Sequence, residues 1–251
     1  MKKYLWFLPI LLSGCSSMYI PSMSSAPLFS EKGDAQIEAS VSTNSMHAQG
    51  GYAFSNNYAF TVSGSLSYGN ICNYNDLFTK KTDVADPKGY LGIDFTTFGR
   101  YSHKYAEVAF GRYNILPDSR YRLEFFWGLG GASAKEKPYK NTYGLTFAQA
   151  NIGQTLGIFD WGASCRFATS FHNYTGIDNS SQSFSATVPL FHVEPMAFYR
   201  IGGEHLKFIQ KIGLSIPMRT TDFSHIENTV TDSDYYRTTL FHLSIGVGYY
   251  F

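Results

Sequence analysis

His242 and Ser244 stand two residues apart near the end of the chain. In an extended strand that spacing puts both side chains on one face. A serine becomes a nucleophile when a base is within hydrogen-bond reach and a third group orients that base. Glu38, expected on the neighbouring strand, is the residue that would take the third place. Serine is also the commonest small filler on faces of this kind, as at Ser63, Ser65, Ser67 and Ser164. A serine beside a histidine therefore needs no catalytic reason, and no catalytic residue is assigned. His192-x-Glu194 and His205-x-Lys207 read as members of a paired interior. No CxxC pair or His/Cys cluster with zinc spacing occurs, so no metal is expected. The glycines of Gly128-Leu129-Gly130-Gly131 fall inside a strand pattern rather than in a phosphate loop.

A different chemistry is written at the start. Lys2 and Lys3 precede the apolar run Tyr4 to Leu12, which is too short to span a bilayer as a helix. Leu12-Ser13-Gly14-Cys15 then matches the lipobox of bacterial lipoprotein signal peptidase. Cleavage between Gly14 and Cys15 frees that cysteine for diacylglycerol and N-acyl attachment. Residues 1–14 are thus a signal peptide, and the covalent lipid on Cys15 is the only added group expected. Residues 15–33, rich in Ser and Pro and without periodicity, read as a lipidated tether. Cys72 falls in a polar loop and Cys165 in an apolar strand, so both are expected free.

Residues 34–251 must position everything else, and their period is two almost throughout. Thr239, Phe241, Leu243, Ile245, Val247, Tyr249 and Phe251 alternate with small and polar residues. The same alternation runs over Tyr58–Tyr68, Tyr121–Gly130 and Phe159–Ala168. Such runs have the length that a tilted strand needs to cross a bilayer. Alternating short and long links predict strands near 34–42, 45–54, 58–68, 98–113, 120–134, 143–154, 158–171, 190–201, 204–216 and 238–251. The links expected to be long are Gly69 to about Thr97, Lys135–Thr142, His172–Pro189 and Pro217–Arg237. The fold class is all-β, an antiparallel transmembrane barrel of about ten strands. Twelve is the fallback if Tyr90–Phe95 adds a strand.

Composition agrees with that class. The chain has 19 Tyr, 21 Phe and 23 Gly, with 20 Lys+Arg against 19 Asp+Glu. Balanced charge argues against a nucleic-acid partner. The charged residues on the less apolar faces are Glu38, Glu107, Arg122, Glu124, Asp160, Arg166, Glu194, Arg200, Lys207 and Lys211. In a narrow barrel they are costly unless paired, and equal numbers of the two signs allow pairing. A lumen of this size is one that side chains largely fill. A soluble lipid-anchored barrel around an apolar ligand gives the same period. Aromatic ends on the apolar faces favour the membrane instead. Tyr249 and Phe251, on one face of the last strand, resemble the C-terminal signal read by the barrel-assembly machinery.

Tyr19-Ile20-Pro21, Ala26-Pro27-Leu28-Phe29 and Lys32-Gly33-Asp34 complete a pattern behind the lipid cysteine. In these elements the chain resembles a largely uncharacterised group of outer-membrane β-barrel lipoproteins of Bacteroidota. The resemblance implies an outer-membrane barrel with a lipid anchor and brings no activity with it. Surface-exported lipoproteins of such bacteria usually carry acidic residues after the cysteine, whereas this chain has Ser16-Ser17-Met18-Tyr19. The lipid is therefore expected in the periplasmic leaflet, with both ends of the chain on the periplasmic side. The partners expected are outer-membrane lipid, the assembly machinery, and a glycan or protein at the long loops. The function expected is a structural or surface-binding role in the cell envelope. A narrow channel for small solutes is the alternative, and a lipid-modifying enzyme a third class.

Overall fold

The computed structural model describes Tyr19 and residues 22–42, 45–67, 101–116, 120–136, 139–177, 183–218 and 241–251. Among these every regular element is a strand: β1 (Ala35–Ser42), β2 (Ser45–Ala53), β3 (Tyr58–Ser67), β4 (Tyr101–Ile115), β5 (Tyr121–Glu136), β6 (Tyr139–Thr155), β7 (Phe159–Ile177), β8 (Ser183–Gly202), β9 (Leu206–Leu214), β10 (Ile216–Met218) and β11 (Phe241–Tyr250). Neighbours in sequence pair antiparallel from β1 to β9. β11 then joins β9 to β1, with Gln36 opposite Tyr250 and Ser42 opposite Ser244. The ring closes with ten strands; β10 is a three-residue continuation of β9 along β8. Closure removes the sheet edge that an open sheet would leave unpaired.

At the short-turn end the strand bounds agree with the alternation within two residues, but at the other end two links differ. Lys135–Thr142, expected as a long loop, is the tip of the β5–β6 hairpin, where Glu136 lies opposite Tyr139. His172–Pro189 is mostly strand as well, and pairing continues to Ile177 opposite Ser183. The Ser, Thr and Asn there break the apolar alternation without breaking the backbone ladder, which needs only N–H and C=O groups. β7 and β8 reach 19 and 20 residues, while β1 and β2 have 8 and 9. One wall thus stands far above the other. Tyr90–Phe95 lies outside the described residues, and the ring closes without it.

Apolar and polar side chains are sorted by face. Trp127, Leu129 and Phe167 point outward and are 72%, 64% and 61% exposed. Ile37, Val62, Val108, Phe208, Ile212 and Val247 share that outer surface. Aromatic rings gather toward the short-turn end: Tyr58 stacks on Phe110, Tyr121 meets Trp161 edge-on, Phe159 stacks on Tyr199, and Tyr249 meets Phe251. Cys165 is free, half-buried and on the outward face of β7. The interior instead holds glutamates, arginines, lysines, glutamines and histidines.

The segment expected as a tether beneath the barrel runs inside it. Tyr19 and residues 22–29 are all buried. The chain comes down the lumen to the short-turn end and reverses over residues 30–34. The Asp34 carboxylate accepts the Ser30 and Glu31 N–H groups at 2.7 and 3.1 Å. Gly33 adopts φ 101°, a conformation open to glycine. Its N–H donates to Ala53 O at 2.8 Å and hands the chain to β1.

Candidate functional site

A chain threaded through a barrel has no sheet to satisfy its backbone, so its N–H and C=O groups need partners from the wall. At the short-turn end Arg122 Nε donates to Ser30 Oγ at 2.8 Å. The Phe29 N–H donates to a Glu124 oxygen at 2.9 Å, and the other oxygen of that carboxylate accepts Asn151 Nδ2 at 2.9 Å. Arg200 donates to the carbonyls of Ala26 and Pro27. Gln149 and Asn151 both donate to Ser25 O, at 2.6 and 3.2 Å. Lys211 Nζ lies 3.4 Å from Ser24 O. Higher up, Ser22 Oγ meets Ser63 and Glu107. The Tyr19 hydroxyl donates to Glu194 at 2.8 Å, and its ring stacks 3.9 Å from that of His192.

The inward charges therefore do two jobs. Four ion pairs tie them together: Arg166–Glu107 at 2.8 Å, Arg200–Glu38 at 3.1 Å, Lys211–Glu38 at 2.8 Å and Lys207–Asp160 at 2.6 Å. Arg166 is bidentate on Glu107, accepts the Phe147 ring beneath its guanidinium, and also donates to Gln149. Glu38 is further bonded by Gln49 and Tyr250. Glu124 and Glu194 have neutral partners instead: Asn151 and a backbone N–H for one, Tyr19 and Ser215 for the other. Equal numbers of acids and bases thus do not resolve into simple pairs, because part of the charge is turned onto the threaded segment.

Shape matches polarity. A Cβ added at Gly51 would stand 2.9 Å from Phe29 Cζ, and one at Gly153 would stand 2.7 Å from Leu28 Cδ1. Leu28 itself has φ 63°, a rare conformation for a residue with a side chain. Hydrogen bonds on both sides of it, from Arg200 to Pro27 and from Phe29 to Glu124, hold the backbone there. Met23 and Ala26 join Leu28, Met196 and Phe198 in one apolar cluster, while Tyr19 and Phe29 join a second with Tyr113 and Phe147. Below the segment a vestibule of 630 Å³ opens at the short-turn end, lined by Arg122, Asp160, Arg200 and Lys207 among others.

Other predicted residues fall as follows. Ser244 Oγ makes no hydrogen bond and Glu38 is held by Lys211 and Arg200, so the three groups do not form a relay. His205 belongs to no interior pair: it is exposed at the short-turn end, with Nδ1 2.8 Å from Tyr250 O. Tyr249 and Phe251 face outward with ring centroids 4.7 Å apart. Among the described residues no group of His, Cys, Asp or Glu is arranged to hold a metal. Gly14, Cys15 and Cys72 lie outside the described residues.

Sequence reasoning missed Gln149, Asn151 and the docking role of Tyr19 and residues 22–29. Met23, Leu28 and Phe29 were a usable signal, since a solvated linker has little reason to carry them. Tyr19 and Ala26-Pro27-Leu28-Phe29, on which the resemblance to Bacteroidota barrel lipoproteins rests, are among the residues seated in the lumen. No family model and no curated protein matches this chain.

Proposed function

We propose that this chain is a lipid-anchored outer-membrane β-barrel, closed by its own N-terminal segment, with a structural or surface-binding role in the cell envelope. The observation that carries the reading is the inversion of polarity. Isoleucine, phenylalanine, tryptophan and leucine cover the outside, while ionisable groups, histidines among them, are enclosed. In water such a surface would be a large exposed apolar patch; in a bilayer it is the lipid-facing belt. The aromatic rings at the short-turn end suit a girdle at one interface.

The lumen argues for a closed barrel over a channel and over a pocket for an apolar ligand. It is occupied by residues 22–29 and lined by hydrogen-bonding groups. Ser244 Oγ has no hydrogen-bond partner, so the His242–Ser244 pair lends no support to a catalytic role. The raised wall of β5–β8 offers a surface for a glycan or a protein above the membrane, since binding residues commonly sit on segments that a rigid scaffold holds up. Tyr249 and Phe251 are the residues for recognition by the assembly machinery. Protein extracted from outer membranes and run unboiled on an SDS gel tests the reading. A band displaced from that of the boiled chain is expected. Identical migration would remove the membrane barrel and leave a soluble lipid-anchored module.

A further inference from the structure

We infer that the vestibule at the short-turn end binds a small zwitterion, an amino acid or a short peptide, with Arg122 taking its carboxylate. The inference goes beyond the barrel reading, since the cup is formed whatever solvent meets the outer face.

The space comes first. At 630 Å³ the vestibule falls within the ~300–1,000 Å³ of small-molecule sites. Pro27, Leu28 and Phe29 of the threaded segment form its roof. That roof is fixed, because Arg200 bonds Pro27 O and Glu124 accepts the Phe29 N–H. The vestibule is therefore a cup, blind at its inner end and open at the rim of short turns.

Arg122 is the cation left over. Of the inward cations, Arg166, Arg200, Lys207 and Lys211 each touch a carboxylate. Among the described residues Arg122 touches none. Its Nε is anchored on Ser30 Oγ at 2.8 Å, and its Nη1 has no hydrogen-bond partner. Lys207 is committed to Asp160 and Gly157 O, and Arg200 to Glu38 and the carbonyls of the segment. An anchored guanidinium without a counter-ion suits a carboxylate, whose two oxygens match its fork.

Acceptors complete the match. Gln36, also in the lining, is 3% exposed, and neither end of its amide has a partner. Asp160 gives Oδ2 to Lys207 and leaves Oδ1 unbonded. Buried polar groups are normally paired, so these call for a partner that enters the cup. It must bring hydrogen-bond donors as well as an anion. The charges of the lining point the same way. Arg122, Arg200 and Lys207 stand against Asp34, Asp160 and Glu204, three of each sign. A dianion such as phosphate meets those carboxylates unfavourably. A zwitterion, neutral overall and bipolar, meets both sets.

The test is calorimetric titration of the full chain, purified in detergent, with L-alanine, L-alanyl-L-alanine and inorganic phosphate. Saturable heat is expected from alanine, from the dipeptide or from both, and none from phosphate. Heat from the dipeptide alone would define the ligand as a peptide, and heat from alanine alone as the free amino acid. Arg122→Gln should weaken that binding about tenfold or more, as loss of a hydrogen bond to a charged group does. Ser30→Ala removes the anchor of Arg122 and keeps its charge, so it should still bind. No saturable heat from either zwitterion, phosphate binding in preference to both, or full binding by Arg122→Gln would each overturn the inference. The band shift of the unboiled chain is read separately, so failure of this site and failure of the membrane barrel are told apart.

Discussion

Gly51 of β2 and Phe29 of the threaded segment share one space: a Cβ on residue 51 would stand 2.9 Å from the Phe29 ring. The wall is hollowed where the segment bears on it. Gly51→Val should push Phe29 off its seat while β2 keeps its pairing with β1 and β3. Overfilling a packed site typically costs about 1–3 kcal/mol. Thermal unfolding in detergent, followed by loss of the fast-migrating band, is expected at a lower temperature than for the parent.

The turn that admits the segment to the lumen depends on Gly33, with φ 101°. An L side chain is strained there, and Gly33→Ala should cost about 1–2 kcal/mol. Denaturant titration in detergent measures it. The control Lys32→Ala, at an exposed neighbouring site, should leave the midpoint unmoved.

Arg166 grips Glu107 with two nitrogens, at 2.8 and 3.0 Å, and lies 4.0 Å above the Phe147 ring. A lysine is a point charge without that fork, so Arg166→Lys should not be a mild change. Arg166→Met should cost about 3–5 kcal/mol, because it strands a buried carboxylate. Adding Glu107→Gln to Arg166→Met should recover part of the loss. A double-mutant cycle on unfolding free energies reads this directly; strictly additive losses would contradict it.

The lumen is closed by residues 22–29. The parent in a planar bilayer should therefore be electrically silent. Replacing 22–29 with Gly and Ser removes the side chains of Met23, Leu28 and Phe29 that fill the two apolar clusters. Discrete conductance steps are expected from that variant alone. Steps of equal size from the parent would favour a channel.

Tyr249 and Phe251 form an edge-on pair on the outer face of the last strand. Replacing both with Ala leaves the lumen untouched, so the folded barrel should keep its stability once formed. The amount reaching the outer membrane should fall, as seen by fractionation and blotting.

The alternation from Thr239 to Phe251 and from Phe159 to Ala168 was readable because an outward apolar face repeats every second residue. Strand ends above the belt were not, since Asn173, Thr175 and Thr187 carry no such contrast while their backbones stay paired. The inward charges were visible one strand at a time. What each one meets was not, because Arg200 and Glu38 are brought together only by closing the ring. The threaded segment was hidden for another reason: Ser22, Ser24 and Ser25 look like solvated linker, and nothing local says that Gln149 and Asn151 await a carbonyl.

β1 meets β11 across the whole chain, residue 36 opposite 250. Until those last residues exist, the enclosure has a gap between β1 and β9. The segment that ends up innermost is made before all of these strands, yet its receptor is complete only when β11 arrives. Contacts so distant in sequence form slowly. Residues 22–29 must therefore wait, unseated, through the synthesis of the strands that will surround them. A sequence poor in charge and punctuated by Ser and Pro is well suited to that wait, since it offers β-strands little to pair with before the ring shuts.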